Sequence, residues 1–229
     1  MPVLNLQDQK TPGELLNARQ VTYCLIDAYP DASLPDFGDD PLDAALWGIM
    51  AQREYPHKSK KAFNLLKSRH SGWSEFAGMN VEGLASCLKS AGLNFYRNKA
   101  QQIIACLNEV HRRNNEYSLK GSSDLENDIA GLPGIGPRTT AIISLFFMNR
   151  PDLPPESAVT RIAKRLGWID GLEKKLIVKR LALLAGILEI EEMQRLYLCM
   201  TEHGCRVCLA DRPRCSLCVI LEFCIREKT

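Results

Sequence analysis

Four cysteines near the C-terminal end of this 229-residue chain have the spacing of a metal or cluster site. They are Cys208, Cys215, Cys218 and Cys224, with six, two and five residues between neighbours. Thiolates are soft ligands that select iron–sulfur clusters or zinc. Because the loop is short, four sulfur atoms can converge on one centre at little entropic cost of loop closure. The spacing therefore predicts a metal centre in this segment.

Two other interpretations of these cysteines stay open at the level of sequence. Cys205 and Cys208 form one CxxC pair and Cys215 and Cys218 another, so a four-cysteine zinc site is an alternative that leaves Cys224 spare. In the cluster interpretation the spare residue is Cys205. Buried thiols that pack like small hydrophobic side chains are the third interpretation. The remaining cysteines lie in apolar helical segments and are predicted to be core: Cys24, Cys87, Cys106 and Cys199.

A second motif, Leu-Pro-Gly-Ile-Gly-Pro-Arg-Thr at 132–139, predicts a tight turn between two helices. Gly134 and Gly136 allow unusual dihedrals and close backbone approach, and Pro137 suits the first turn of the second helix. Ile135 is expected to pack between the two helices. The exposed amides of the turn and helix start could bind a backbone phosphate, which would give sequence-independent binding to nucleic acid. A plain corner between two helices is the alternative.

The rest of the chain is patterned as helices separated by proline and glycine breakers. Apolar residues recur every three or four positions, which predicts an all-α protein of about ten helices. The predicted segments are 12–29, 42–53, 59–68, 82–90, 97–113, 124–131, 138–148, 158–166, 173–187 and 191–202. Without a run of 18 apolar residues we expect no membrane span, and without a signal peptide we expect a cytoplasmic protein, or a nuclear one in a eukaryote.

Charge is distributed unevenly along the chain. Residues 1–45 contain eight acidic and two basic residues, and subtracting these from totals of 27 and 29 leaves 19 acidic and 27 basic residues in the remainder. An excess of positive charge suits a body that binds a polyanion such as nucleic acid. Ordinary solvated helix faces would have the same composition, so this observation only supports the motifs.

Together, the hairpin motif and the cysteine loop, which is preceded by Glu202-His203-Gly204, resemble the endonuclease III superfamily of DNA glycosylases from about residue 41 onward. The resemblance implies an all-α, two-lobed helix-hairpin-helix fold and a [4Fe–4S] cluster on Cys208, Cys215, Cys218 and Cys224. It implies one lobe at 41–150, with the hairpin at about 123–148, and a cluster lobe at 1–40 plus 151–229. The expected partner is double-stranded DNA with a damaged or mismatched base, bound by a monomer in a groove between the lobes.

The resemblance also implies residues that enter the duplex. Met50-Ala51-Gln52 matches the family's Ser-Ala-Gln turn, and Gly92-Leu93 matches its Gly-Leu loop. By resemblance, Gln52 would fill the gap left by an extruded base and Leu93 would wedge the opposite strand. A helix-end glutamine and a core leucine are the alternatives. The hairpin positions expected to contact DNA are Gly134, Ile135, Gly136 and Thr139.

The sequence departs from the family at the two catalytic positions. Family members that also cut DNA have a lysine before the hairpin threonine, and here that position is Arg138. Arginine stays protonated and is a poor nucleophile, so the lyase reaction through a Schiff base is predicted to be lost. Eighteen residues later the family has an aspartate, and here the residue is Glu156, which keeps the carboxylate at a different reach.

Two functional hypotheses follow from Arg138 and Glu156. In the first, the chain is a monofunctional glycosylase that hydrolyses the N-glycosidic bond of a damaged or mispaired base with Glu156 as the carboxylate. In the second, Arg138 and Glu156 form an ion pair that occupies the carboxylate, and the chain is a catalytically weak or inactive protein that senses DNA damage or structure. The sequence does not name the base.

Overall fold

The computed structural model describes residues 17–114, 116–169, 181 and 183–225, and in these residues every regular element is a helix. The predicted all-α class is confirmed. Among the described residues, no helix is both long and apolar enough to cross a membrane. The predicted helix at 173–187 lies mostly outside the described residues. The α-helices are α1 (Ala18–Ala28), α2 (Pro41–Met50), α3 (Pro56–Arg69), α4 (Trp73–Ala77), α5 (Val81–Ser90), α6 (Tyr96–Asn114), α7 (Leu125–Ile129), α8 (Pro137–Phe147), α9 (Ser157–Arg165) and α10 (Ile190–Arg206). Short 3₁₀ helices are Leu183–Gly186, Cys215–Leu217 and Leu221–Phe223.

The chain divides into two compact units, which we call the hairpin unit (residues 32–156) and the cysteine unit (residues 1–31 with 157–229). The predicted lobe boundaries, after residues 40 and 150, differ from these by several residues. The consequence for function is at the second boundary, because Glu156 is grouped with Arg138 rather than with the C-terminal residues.

Helix α2 forms the centre of the hairpin unit, and all ten of its residues are buried. Its start is fixed by Asp40, whose carboxylate accepts the Leu42 amide at 2.9 Å, as a capping aspartate does. The same carboxylate accepts the Ser118 hydroxyl at 2.7 Å and the Leu119 amide at 3.0 Å. One side chain therefore caps α2 and also ties down the loop that follows α6.

The predicted hairpin is formed by α7 and α8. Pro137 begins α8, as expected, but α7 ends at Ile129, earlier than the predicted end at residue 131 or 132. Gly131 and Gly134 adopt φ values of 69° and 78°, which favour glycine. Gly136 has φ −117° and ψ −178°, extended backbone that other residues adopt equally well. Of the two glycines predicted to need unusual dihedrals, only Gly134 has one.

The hairpin approaches α2 closely at two points. A Cβ added at Gly48 would overlap the side chain of Thr139 on α8. A Cβ added at Gly134 would lie 3.0 Å from Cδ1 of Ile49. Since cores are packed to the density of organic crystals, neither position has room for even a methyl group. These contacts set the position of the hairpin on α2.

In the cysteine unit, α9 and α10 pack at small residues. A Cβ at Gly204 would lie 2.5 Å from the Cβ of Ala158, so the helices approach most closely there. Helix α10 begins with a capping box formed by Glu189 and Glu192, in which each residue's side chain accepts the other's backbone amide. Tyr29, just after α1, hydrogen-bonds His203 Nδ1 at 2.8 Å. These contacts fix the helix that leads into the cysteine loop.

Substitution of Gly48 tests the close contact with α8. We expect Gly48→Ala to lower the free energy of unfolding by about 1–3 kcal/mol, because the added methyl overlaps Thr139. The matched control is Gly78→Ala, where the added Cβ meets no atom closer than 3.7 Å and φ is −78°. Urea unfolding followed by circular dichroism measures both, and equal stability of the two variants would contradict the packing argument.

Candidate active site and cysteine centre

Arg138 and Glu156 form an ion pair in the hairpin unit. Arg138 lies in the first turn of α8 and Glu156 immediately precedes α9, and Arg138 Nε donates to Glu156 Oε1 at 2.5 Å. Their side chains are 28% and 12% exposed, so water reaches the pair only in part. A charge-assisted bond of this kind is stronger than a neutral one. The ion pair considered from the sequence is thus present, and it holds the carboxylate in one place.

The guanidinium of Arg138 lies on the ring of Trp47, a residue that the sequence analysis missed. Its Cζ is 5.2 Å from the ring centroid, the geometry of a cation–π contact. Trp47 is 3% exposed, and its buried Nε1 has no hydrogen-bond partner among the described atoms. Trp47 therefore backs the arginine that holds Glu156. The available signal was an aromatic residue on the predicted helix that leads to Gln52.

Gln52 contacts the hairpin directly. Its Nε2 donates to the carbonyl oxygen of Gly134 at 3.1 Å, so the structure brings together two predicted DNA-contact positions that lie 82 residues apart. The next residue, Arg53, has φ 55°, which is uncommon for a residue with a side chain. Gln52 is therefore held at the hairpin turn by one hydrogen bond, which leaves its Oε1 and its second N–H group for other partners.

The other predicted hairpin contacts differ in accessibility. The amide of Ile135 donates to Leu132 at 3.1 Å within the turn, and the Ile135 side chain is partly exposed. Thr139 is 4% exposed and packs against Gly48. A contact from Thr139 to DNA would therefore have to come from its backbone. Gly134 and Gly136 lie at the turn between α7 and α8, where phosphate binding was predicted.

Leu93 has the sequence position expected of a wedge, and Phe95 has the exposed apolar side chain. Leu93 is 3% exposed, as a core leucine would be, so a wedge at Leu93 requires its loop to rearrange. Phe95, two residues later, is 58% exposed with φ 51°, and the guanidinium of Arg53 lies 5.4 Å from its ring centroid. The exposed apolar side chain of this loop is therefore Phe95. The sequence signal was a pair of aromatic residues, Phe95 and Tyr96, between the polar residues Asn94 and Arg97.

The four predicted ligand cysteines line one cavity of the cysteine unit. The lining residues are Arg165, Val207, Cys208, Pro213, Arg214, Cys215, Cys218, Leu221 and Cys224. Cys205 is not among them. Among the described residues, no three His, Cys, Asp or Glu side chains are placed to hold a single metal ion. Cys208, Cys215, Cys218 and Cys224 therefore share one cavity, and a metal centre at these cysteines stays a prediction.

Two side chains direct polar hydrogens at these sulfur atoms. Arg165 Nη1 donates to Cys208 Sγ at 2.9 Å and also to the Leu209 carbonyl at 2.9 Å. His203 Nε2 lies 3.5 Å from Cys218 Sγ. Burial lowers the pKa of His203 to about 4, so the ring is neutral at pH 7. When Tyr29 donates to Nδ1, the ring's one hydrogen is on Nε2 and points at the sulfur. Donors of this kind favour thiolate over thiol.

The comparisons with known proteins agree with the motifs. No family model matches the chain. Endonuclease III of Thermotoga maritima is 27% identical over 186 residues, which is 81% of this chain and 83% of the relative. Endonuclease III of Rickettsia prowazekii is 27% identical over 150 residues, and the match spans about two thirds of its length (66%). A solved structure of a trapped covalent intermediate between endonuclease III and DNA superposes with a TM-score of 0.72 at 23% identity, over 93% of this chain and 98% of that one. The resemblance to the endonuclease III superfamily is confirmed.

The departures from the endonuclease III pattern coincide with the ion pair. The two residues expected from the resemblance at the family's catalytic positions, Arg138 and Glu156, are the two whose side chains meet. The departures therefore form one structural change rather than two independent ones. Any account of this endonuclease III-like chain has to explain a carboxylate held by arginine at this place.

Proposed function

We propose that this chain is an endonuclease III-like DNA glycosylase that hydrolyses the N-glycosidic bond of a damaged or mispaired base and lacks lysine-dependent strand cleavage. The observation that carries the proposal is the ion pair of Arg138 and Glu156. By the family resemblance, Glu156 takes the position of the catalytic aspartate and keeps a carboxylate there. By the same resemblance, Arg138 takes the position of the nucleophile, and a guanidinium cannot form a Schiff base. The partner is double-stranded DNA with a damaged or mismatched base, and the protein acts as a monomer, cytoplasmic or, in a eukaryote, nuclear.

The chemistry required of Glu156 is electrostatic. Breaking an N-glycosidic bond leaves positive charge on the sugar, and a fixed carboxylate stabilises that charge and can orient the attacking water. Arg138, backed by Trp47, keeps the carboxylate in one rotamer. In this mechanism Arg138 is a positioning residue and Glu156 the catalytic one.

The DNA has to be opened for the base to reach Glu156. Gln52 and Phe95 are the side chains suited to this task, since an amide can pair with an orphaned base and an exposed ring can stack between bases. Phe95 takes the wedge role predicted for Leu93, because Leu93 is buried. The hairpin turn at Gly134 is suited to the phosphate backbone.

The same ion pair favours a second candidate function, a DNA-binding protein that senses damage or structure without chemistry. The positive charge of Arg138 offsets the negative charge of the Glu156 carboxylate, so the pair stabilises a developing cation less than a carboxylate alone would. In that case binding through the hairpin and the loops would remain, and base release would be absent. The two candidates therefore differ in one measurable step.

We also propose that Cys208, Cys215, Cys218 and Cys224 hold a [4Fe–4S] cluster, with zinc as the alternative. Support comes from the shared cavity, from the donors Arg165 and His203, and from the family resemblance. When bound, the cluster supplies four metal–thiolate bonds that cross-link the loop. The chain's own contribution is the hydrogen bond from Arg165 to Cys208 Sγ and the His203 ring beside Cys218 Sγ.

Glycosylase activity is tested by single-turnover reactions on a panel of damaged and mismatched duplexes, each analysed with and without alkali. We expect strand breaks only after alkali treatment, with the cleaved duplex naming the base. Glu156→Gln should lower the rate at least about 10²–10³-fold, because it removes the charge that stabilises the transition state, while DNA affinity is retained. Full activity of Glu156→Gln would exclude Glu156 as the catalytic carboxylate. Tight binding without breaks in either arm would favour the sensor.

Arg138→Lys tests the assignment of the nucleophile position. A lysine at this place can attack the sugar C1′ as a free amine, so we expect strand scission without alkali and an adduct trapped by borohydride. Arg138→Met, which removes the charge and the hydrogen-bond donors without adding an amine, is the matched control and should give no adduct. Absence of an adduct in Arg138→Lys would show that residue 138 does not occupy the nucleophile position.

The cluster and zinc interpretations make opposite predictions for two cysteines. Iron and acid-labile sulfide analysis of anaerobically purified protein should give about four irons per chain. Cys224→Ala should lose the iron and Cys205→Ala should keep it, because Cys224 lines the shared cavity and Cys205 does not. One zinc per chain that is lost in Cys205→Ala and kept in Cys224→Ala would establish the alternative.

A further inference from the structure

A buried ion pair in the hairpin unit joins the loop between α2 and α3 to the first turn of α6. The Glu54 side chain is 1% exposed although Glu54 lies between α2 and α3, and the Lys99 side chain in the first turn of α6 is 2% exposed. Lys99 Nζ donates to Glu54 Oε1 at 2.9 Å. Removing two charges from water is costly unless the geometry is good and the remaining lone pairs are satisfied. A pair this deeply buried therefore carries a desolvation cost, which is offset when the pair holds neighbouring segments of the chain in place.

The carboxylate of Glu54 is satisfied by more than Lys99. The backbone amide of Asn94 donates to Oε1, and Asn94 Nδ2 donates to Oε2 at 3.1 Å. Lys58 Nζ lies 3.4 Å from Oε2. Burial raises the pKa of Glu54, but hydrogen bonds from Lys99 and the Asn94 amide outweigh burial and leave the pKa below its ordinary value. One ionised carboxylate thus binds donors from the loop at Asn94, from Lys99 on α6 and from Lys58 on α3.

Glu54 and Asn94 lie next to the residues that are proposed to enter the DNA duplex. Glu54 follows Gln52 and Arg53, and Asn94 precedes Phe95. Both Arg53 and Phe95 have left-handed backbone, with φ 55° and 51°, which is unfavourable for residues with side chains and persists only where the surroundings enforce it. The guanidinium of Arg53 also lies over the ring of Phe95. The two strained positions therefore flank the buried pair and contact each other.

We propose that Glu54 and Lys99 are positioning residues that lock the loops 52–54 and 93–95 into one rigid insertion element, so that the Gln52 amide and the Phe95 ring enter a duplex at a fixed spacing. This inference rests on the proposed function for the DNA that the element enters. It assigns a role to Glu54 and to Lys99, and neither the motifs nor the comparisons give these two residues a role. Insertion requires free energy to unstack the bases, and a preorganised element loses less conformational entropy when it binds, so more of the binding free energy is available for unstacking.

The test follows the unstacking of a base and requires no catalysis. The probe is a duplex with a tetrahydrofuran abasic analogue opposite 2-aminopurine, whose fluorescence rises when the base is unstacked. The variants are Glu54→Gln, Lys99→Met and the double variant, in which neither charge is left unpaired. Phe95→Ala removes the wedge itself. The matched control is Glu82→Gln, which breaks the pair of Glu82 with Arg97 on α6, 3.3 Å apart and 70% and 67% exposed.

We expect a fluorescence rise with the wild-type protein and with Glu82→Gln, and loss of that rise in Phe95→Ala and in the double variant at saturating protein. The single variants should match the double one, because residues that act as a unit are not additive. Affinity for undamaged duplex should stay unchanged, which a general folding defect would not allow. A full rise in the double variant would overturn the proposal and leave the proposed function standing. No rise with wild type would overturn both.

A second measurement uses the wild-type protein, so it does not depend on any variant folding. The amide of Asn94 lies in an exposed loop but donates to a buried carboxylate. We expect its hydrogen exchange to be slowed well below the rate of an unprotected loop amide, since the amide is released only when its bond to the buried carboxylate breaks. Exchange of the Asn94 amide at the rate of an unprotected loop would overturn the proposal.

Discussion

The close approach of α2 to the hairpin is the constraint on which the candidate active site depends. Trp47 lies beneath the guanidinium of Arg138, Gly48 admits the side chain of Thr139, and Ile49 packs against Gly134. Three consecutive residues of one fully buried helix thus place the arginine, the first turn of α8 and the hairpin turn. Because α2 has no exposed face, it can move only if the core of the unit repacks, and a site built on such an element is held to narrow tolerances.

By the family resemblance, the ion pair at this site is a paired exchange of side chains, with arginine in place of lysine and glutamate in place of aspartate. Arginine reaches further than lysine and glutamate further than aspartate, and the two longer chains meet at 2.5 Å. The exchange removes an amine that could form a covalent bond and keeps a carboxylate that can stabilise positive charge. It also sets a limit, since the charge that develops on a sugar has to compete with a guanidinium already bound to the carboxylate. The glycosylase and sensor hypotheses are two outcomes of that one competition.

Sequence patterns predicted the elements better than the contacts between distant residues. Period-3.6 apolar spacing gave the helices, and the Pro-Gly-Ile-Gly-Pro run gave the hairpin, because both are local properties of the chain. Leu93 and Phe95 could not be separated by pattern, since an apolar residue after Gly92 fits a wedge and a core position equally well. Only packing shows that Leu93 is buried and Phe95 is not.

The burial of Glu54 and Lys99 could not be predicted from local sequence patterns. Both residue types are almost never buried without a partner, and the partner here lies 45 residues away. An apolar residue at position 54 would pack well but could not accept the Asn94 amide, so it would leave the second loop unfastened. Replacing a buried ion pair with apolar side chains often costs no stability. An ion pair differs from such a replacement in what it orders, and here Glu54 binds the Asn94 amide between the backbone of Gln52 and that of Phe95.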